Sequence, residues 1–292
     1  VRLFEEHKDA DFSYEIEGLG RYRVNVHSQR GVLGIAMRAI KTKVPPMASL
    51  TLPKVIEQLT YLPRGLVLVT GDTGSGKSTT LASMIQAMNE RYRKHIITLE
   101  DPIEYALESH QCLIEQRELG QDMPSFASAL KHALRQDPDI ILVGEMRDLD
   151  TTQLAMTAAE TGHLVLSTLH TNNASQTVER IIDMYPAGQQ NQIRAMLADT
   201  LQAVVSQTLF RRSDQKGMAP AVEILLCTPA VRNIIREGRT FEIPNVIETN
   251  RALGMVSLDT AIATLFFNGM ISKDDALAQA VYPEKLEQQL AA

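Results

Sequence analysis

The sequence predicts an α/β fold organised on an open sheet, with a phosphate-binding loop at the carboxyl end of one strand. Three observations predict it. Residues Gly71-Asp72-Thr73-Gly74-Ser75-Gly76-Lys77-Ser78 form a complete G-x-x-x-x-G-K-S, preceded at 65–70 by an apolar run of strand length and followed at 79–88 by apolar residues at helical spacing. Two more apolar strands, at 95–99 and 139–143, end in acids: Glu100-Asp101-Pro102-Ile103-Glu104 and Gly144-Glu145. Carboxylates at strand ends lie on the ligand-binding edge of an open α/β sheet.

The first 40 residues read as β-rich. From 20 to 29, Tyr22, Val24 and Val26 alternate with Arg21, Arg23, Asn25 and His27, and a second strand follows at 31–40 with Arg38 near its end. Period two alone makes Arg21, Arg23 and Arg38 a solvated basic sheet face. Lys41-Thr42-Lys43-Val44-Pro45-Pro46 interrupts all periodicity and marks a domain boundary after residue 44. A short amphipathic helix is expected at 52–62, a small strand at 111–116 and a helix at 126–135. The helix at 151–160 is closed by Thr161-Gly162, and the strand 163–169 is bracketed by His163 and His170. Helices at 174–184 and 188–201 and strands at 204–209 and 221–226 follow. From Pro229 onward the pattern is helical, at 230–237, 241–249, 258–267 and 273–281. There is no internal repeat and no low-complexity tract.

Composition excludes several classes. At 292 residues and 44% hydrophobic content the chain holds one large or two medium globular domains. A net charge of −6 gives no polyanion-binding surface overall, so no nucleic-acid partner is expected. Cys112 and Cys227 have no Cys or His at ligand spacing, so a disulfide scaffold and a zinc site are not expected, and a reducing compartment is. No apolar run approaches the roughly 20 residues that span a bilayer. The chain starts at Val1 in what reads as a charged loop, as a fragment beginning partway into a domain would.

The chemistry follows from residue types. Thr73, Gly74, Ser75, Gly76, Lys77, Ser78 and Thr79 would turn backbone N–H groups and a helix N-terminus toward phosphate oxygens. Lys77 supplies a point charge for the β- and γ-phosphates, and the Ser78 hydroxyl a ligand for Mg²⁺. Glu145, tipping a buried strand, would face Mg²⁺ directly or through water. His170 stands at the carboxyl end of its strand, where ligands bind; His163 is as readily an edge residue.

Gly71–Ser78, Glu100–Glu104, Gly144-Glu145-Met146-Arg147-Asp148 and Thr161-Gly162-His163 through Thr168-Leu169-His170-Thr171 resemble, in order, the Walker A, Asp, Walker B and His boxes of the secretion-superfamily ATPases. That family drives type II secretion, type IV secretion and type IV pili. Ala230-Val231-Arg232-Asn233-Ile234-Ile235-Arg236-Glu237 resembles the A-I-R-N-L-I-R-E motif of its pilus-retraction members, and Gly254-Met255-Val256-Ser257-Leu258-Asp259 resembles their G-M-Q-T-L-D box, with Val-Ser for Gln-Thr. Asp72 stands where members often carry Pro or Ser, and the tetracysteine zinc site of assembly-type members has no counterpart.

The resemblance implies a RecA-like P-loop NTPase core at 45–228, the C-terminal portion of a PAS-like α+β domain at 1–44, and a helical C-terminal region at 229–292. It implies a homohexameric, Mg²⁺-dependent ATPase, cytoplasmic and peripheral at the inner face of the cytoplasmic membrane. Its expected partners are an inner-membrane platform protein and possible paralogous retraction ATPase subunits. It makes Glu104 the general base, Glu145 the organiser of Mg²⁺ and His170 a γ-phosphate sensor. It carries Arg23, Arg38 and, less directly, Arg21 to the phosphates, and gives Arg232, Asn233, Arg236 and Glu237 an output role. Three readings compete: a retraction motor or its paralogue, an assembly or secretion motor, and a nucleotide-gated scaffold that scarcely hydrolyses ATP.

Overall fold

Alternation of polar and apolar residues builds the first sheet. The computed structural model describes residues 4–5, 8–40 and 43–291. Lys41 and Thr42, which open the expected boundary, lie outside the described residues. β1 (Asp9–Ile16), β2 (Gly20–Gln29) and β3 (Val32–Ala39) form an antiparallel sheet in that order. β1 was not expected, because Asp9, Asp11 and Glu15 are residues that strands disfavour. Their side chains share one face with Arg21, Arg23 and Arg38; Glu15 lies opposite Arg21, while Arg23 lies between Ser13 and Arg38. Val24 is buried on the other face, where Phe12, Leu33, Ile35 and Met37 are exposed.

The second sheet comes from apolar strands separated by helices. β4 (Gly65–Thr70), β5 (His95–Glu100), β6 (Leu113–Glu118), β7 (Ile140–Val143), β8 (Leu164–Leu169), β9 (Leu201–Arg211) and β10 (Met218–Leu226) take the order β10-β9-β4-β8-β7-β5-β6. All neighbours are parallel except β10 with β9. Every residue of β4, β7 and β8 is buried, which is why they read as continuous apolar runs with no alternation. Thr70 pairs with Leu169, Val143 with Ser167, and Leu99 with Val143. That register brings the ends of four strands, each followed by one of the four boxes, to a single edge.

Helices cover both faces: α1 (Lys54–Leu59), α2 (Lys77–Asn89), α3 (Phe126–Ala133), α4 (Leu149–Glu160), α5 (Ala174–Asp183) and α6 (Gln190–Thr200). Leu66, Leu68, Ile97 and Ile141 pack one way against α3 to α6, while Val67, Val69, Ile96 and Leu142 pack the other way against α1 and α2. The C-terminal helices are α7 (Pro229–Glu237), α8 (Ile243–Thr249), α9 (Leu258–Phe267), α10 (Lys273–Ala278) and α11 (Pro283–Ala291). Leu258, Ile262 and Leu286 close a third cluster over Phe210 and Ala221.

Several element boundaries differ from the expected ones, and one helix was not expected. β9 begins at Leu201, the residue expected to end the preceding helix, because Leu201 turns to extended backbone at the C-cap of α6. Pro244 sits in the first turn of α8, so that helix starts at Ile243 after a short turn at Thr240–Glu242. α11 was not expected; its buried Leu286 and Leu290 are the two leucines of a largely polar stretch. No helix among the described residues is long and apolar enough to cross a membrane.

Candidate active site

The phosphate loop is locked from behind. Gly76 caps α2 at φ 90°, and Gly71 takes φ 132°, both in the region that side chains rarely adopt. A Cβ on Gly71 would press on the Gln207 carbonyl, and one on Gly76 would lie 2.7 Å from Gln207 Nε2. Gln207, buried on β9, donates from Nε2 to the Ser75 carbonyl at 2.6 Å, and its Oε1 accepts from Thr80 Oγ1 at 2.8 Å. One amide thus holds the loop and the first turn of α2 together. Its sequence signal was a polar residue inside the apolar strand expected at 204–209, since a buried amide needs partners. Gln207→Leu strands the Ser75 carbonyl and Thr80 hydroxyl. The expected cost is about 1–3 kcal/mol, read as a lower thermal midpoint with weakened ATP affinity; unchanged affinity would free the loop from this support.

Lys77 begins α2 and is 8% exposed. Its Nζ donates to the carbonyls of Gly71 (2.7 Å) and Asp72 (2.8 Å). Burial pushes its ammonium below the ordinary lysine value, opposed by the carboxylates of Asp72, Glu104 and Glu145. A cation held by three acids at a helix N-terminus is placed for polyphosphate.

Facing it are the strand-end acids. Glu100 is turned inward, accepting from Thr98 Oγ1 (2.6 Å) and Gln116 Nε2 (3.0 Å), and burial raises its carboxyl above the usual range. Glu104 is exposed, four residues further on. Tyr105 is buried, with its hydroxyl 3.0 Å from Thr79 Oγ1. Glu145 is 8% exposed; its Oε2 forms an ion pair with Arg147, 2.5 Å from Nε, and lies 3.4 Å from His170 Nε2. Arg147 lies in the Walker B stretch, and nothing in its sequence position marks this pairing. Thr168 Oγ1 donates to the Gly144 carbonyl at 2.6 Å, which fixes the Walker B turn against the strand that carries His170.

Thr73, Gly74, Gly76, Lys77, Ser78, Thr79, Glu104, Glu145 and His170 line one cavity of about 450 Å³. Ser75 does not line it, and its buried Oγ has no hydrogen-bond partner. The donor set fits Mg²⁺: Ser78 and Glu145, which both line the cavity, offer a hydroxyl and a carboxylate, hard oxygen ligands for a hard cation.

The other expected residues lie elsewhere. Arg21, Arg23 and Arg38 do not line the cavity. Arg21 is bound to Glu118 at 2.7 Å, and Arg23 and Arg38 are exposed. His163 sits at the opposite edge, its Nδ1 2.9 Å from the Ala158 carbonyl. Arg232 reaches back to the carbonyls of Ala198 and Asp199 at the end of α6, and Arg236 pairs with the Asp199 carboxylate. Asn233 donates to Glu237 at 3.0 Å. The first two are therefore engaged in docking α7 on α6. Behind the His box, buried Glu223 accepts from Ala174 N at the start of α5 (2.8 Å), and burial pushes its carboxyl up to about 7.

Fold and site together are those of a P-loop nucleoside triphosphatase. Residues 41–253 match the family model described as "Type II/IV secretion system protein". The chain is 48% identical over 281 residues to a type IV pilus retraction ATPase, PilT, of Pseudomonas aeruginosa, covering 96% of this chain and 81% of that protein. It is 42% identical over 279 residues to the type IV pilus ATPase PilU of the same organism, covering 96% and 73%. A crystal structure of the pilus retraction motor PilT with bound ADP superposes with a TM-score of 0.92 at 42% identity, covering 98% of this chain and 82% of that one. The chain belongs to the type II/IV secretion system protein family.

Proposed function

We propose that this chain is the ATP-hydrolysing motor subunit of type IV pilus retraction. One observation carries the reading: a chain similar along almost its whole length to a retraction ATPase gathers a complete hydrolytic set in one cavity. Lys77 and the loop N–H groups hold the β- and γ-phosphates. Glu104 orients the attacking water and takes its proton. Ser78 and Glu145 would hold Mg²⁺, which would supply neutralisation of charge on the phosphates. His170, within reach of Glu145, senses the γ-phosphate side of the site.

Arg23 and Arg38 complete the site by domain closure. They oppose each other across β2 and β3, and like charges in that position repel. A phosphate between them would relieve the repulsion, which couples closure of the N-terminal sheet to ATP. Six chains form the ring, peripheral to the cytoplasmic face of the inner membrane, and press on an inner-membrane platform protein. Hydrolysis removes the phosphate contacts and reopens the pair, so rotation passes round the ring. A PilU-like accessory role is the second reading, favoured by the 42% identity to that protein. Residues 230–237 resemble the retraction motif, and Asn233 and Glu237 are the members of it that engage only each other and their own neighbourhood.

Deletion in the native host tests the reading. Hyperpiliated, non-twitching cells are the expected result; bald cells would instead make this an assembly motor.

A further inference from the structure

The carboxylate of Glu118 is 3% exposed at the end of β6, in register with Glu100 at the end of β5. It does not line the nucleotide cavity. Its Oε1 accepts from Ser13 Oγ (2.6 Å) and Gln121 Nε2 (2.6 Å). Its Oε2 accepts from Arg21 Nη2 (2.7 Å) and from the backbone N–H of Ile103 (3.0 Å). Among the described residues, the side-chain hydrogen bonds that join the N-terminal sheet to the seven-stranded sheet both end on this one carboxylate. Ile103 is buried and immediately precedes Glu104.

We propose that Glu118 is a positioning residue, tying the N-terminal sheet through Arg21 and Ser13 to the backbone of the loop that aims Glu104. The physical reasons are three. Hydrogen bonds to a charged acceptor are short and strong, so the carboxylate follows the guanidinium. A buried carboxylate that loses its cation pays heavily, so the link does not slip when the sheet shifts. Oε2 is shared between Arg21 and Ile103 N–H, so movement of one donor is passed to the other through a single atom. A base displaced by a fraction of an ångström loses its water, and misplacement of about 1 Å costs roughly 10²-fold in rate. Arg21 thus acts on chemistry without touching phosphate, unlike the part proposed for Arg23 and Arg38.

The inference rests on Glu104 as the base, and Glu104→Gln tests that reading separately. The experiment measures kcat and KM for Mg-ATP, with the affinity of a fluorescent ATP analogue, on the purified full chain. Glu118→Gln puts an amide donor among four donors. Its expected effect is a kcat lowered about tenfold or more with KM and analogue affinity within about threefold. Arg21→Ala, at a partly exposed side chain, is expected to do the same, and Arg21→Lys to restore part of the loss. The double variant is expected to fall no further than the worse single variant, since both act through one link. Three results overturn the proposal: losses that multiply in the double variant; an Arg21→Ala protein whose kcat is unchanged and whose thermal midpoint alone falls; or an Arg21→Ala defect in KM and affinity, which would put Arg21 on the phosphates. If Glu118→Gln fails to fold, Arg21→Ala and Ser13→Ala alone decide, by the same kcat criterion.

Discussion

Glu104→Gln is expected to leave ATP binding largely intact and to lower turnover by about 10²–10⁴-fold, the range that general-base removal produces. Gln keeps the shape of the side chain but cannot accept the water's proton. Glu104 is exposed at the mouth of the cavity, so the change leaves no buried group unpaired and the fold is expected to be undisturbed. Glu145→Gln is expected to differ. Glu145 is buried and holds Arg147 and the neighbourhood of His170, so its loss also raises the Mg²⁺ concentration needed for half-maximal turnover. Identical Mg²⁺ titrations for the two variants would mean that the acids do not divide their labour in this way.

Lys77→Ala is expected to reduce turnover by at least about 10²-fold, the scale for removing one charge-stabilising donor from a preorganised site. Two effects add. The phosphates lose the cation that balances them against Asp72, Glu104 and Glu145, whose charges all act on Lys77. The carbonyls of Gly71 and Asp72 lose their donor, which loosens the loop at a cost of about 1–3 kcal/mol. Steady-state phosphate release within threefold of the unaltered protein would remove the phosphate-loop assignment.

Much of the site was legible because its chemistry is local. The loop Gly71–Ser78 needs glycines at positive φ and a helix directly after it, and both are written in adjacent residues. The acids at 100–104 and 145 follow apolar runs, and sheet order brings such strand ends together. The partners of Gln207 and Glu118 were not legible, because they are distant in sequence: Gln207 meets Ser75 across 132 residues, and Glu118 meets Arg21 across 97. Only the pairing of β9 with β4 and the docking of β1 and β2 near β6 create those contacts. Arg21 illustrates the limit from the other side. Strand alternation put it correctly on the polar face with Arg23 and Arg38, but its neighbour, Glu118, is decided by tertiary packing. Arg232 is similar: helical spacing marked it as a polar position of α7, and packing on α6 gave it two backbone carbonyls.

The most direct test of the central claim is steady-state phosphate release from the purified chain with ATP, measured with Mg²⁺ and with the metal chelated. The four boxes lining one cavity require turnover that depends on Mg²⁺ and disappears in Lys77→Ala and Glu104→Gln. Stoichiometric ATP binding with no phosphate release above the chelated control would contradict the claim, and would make this chain a nucleotide-gated scaffold.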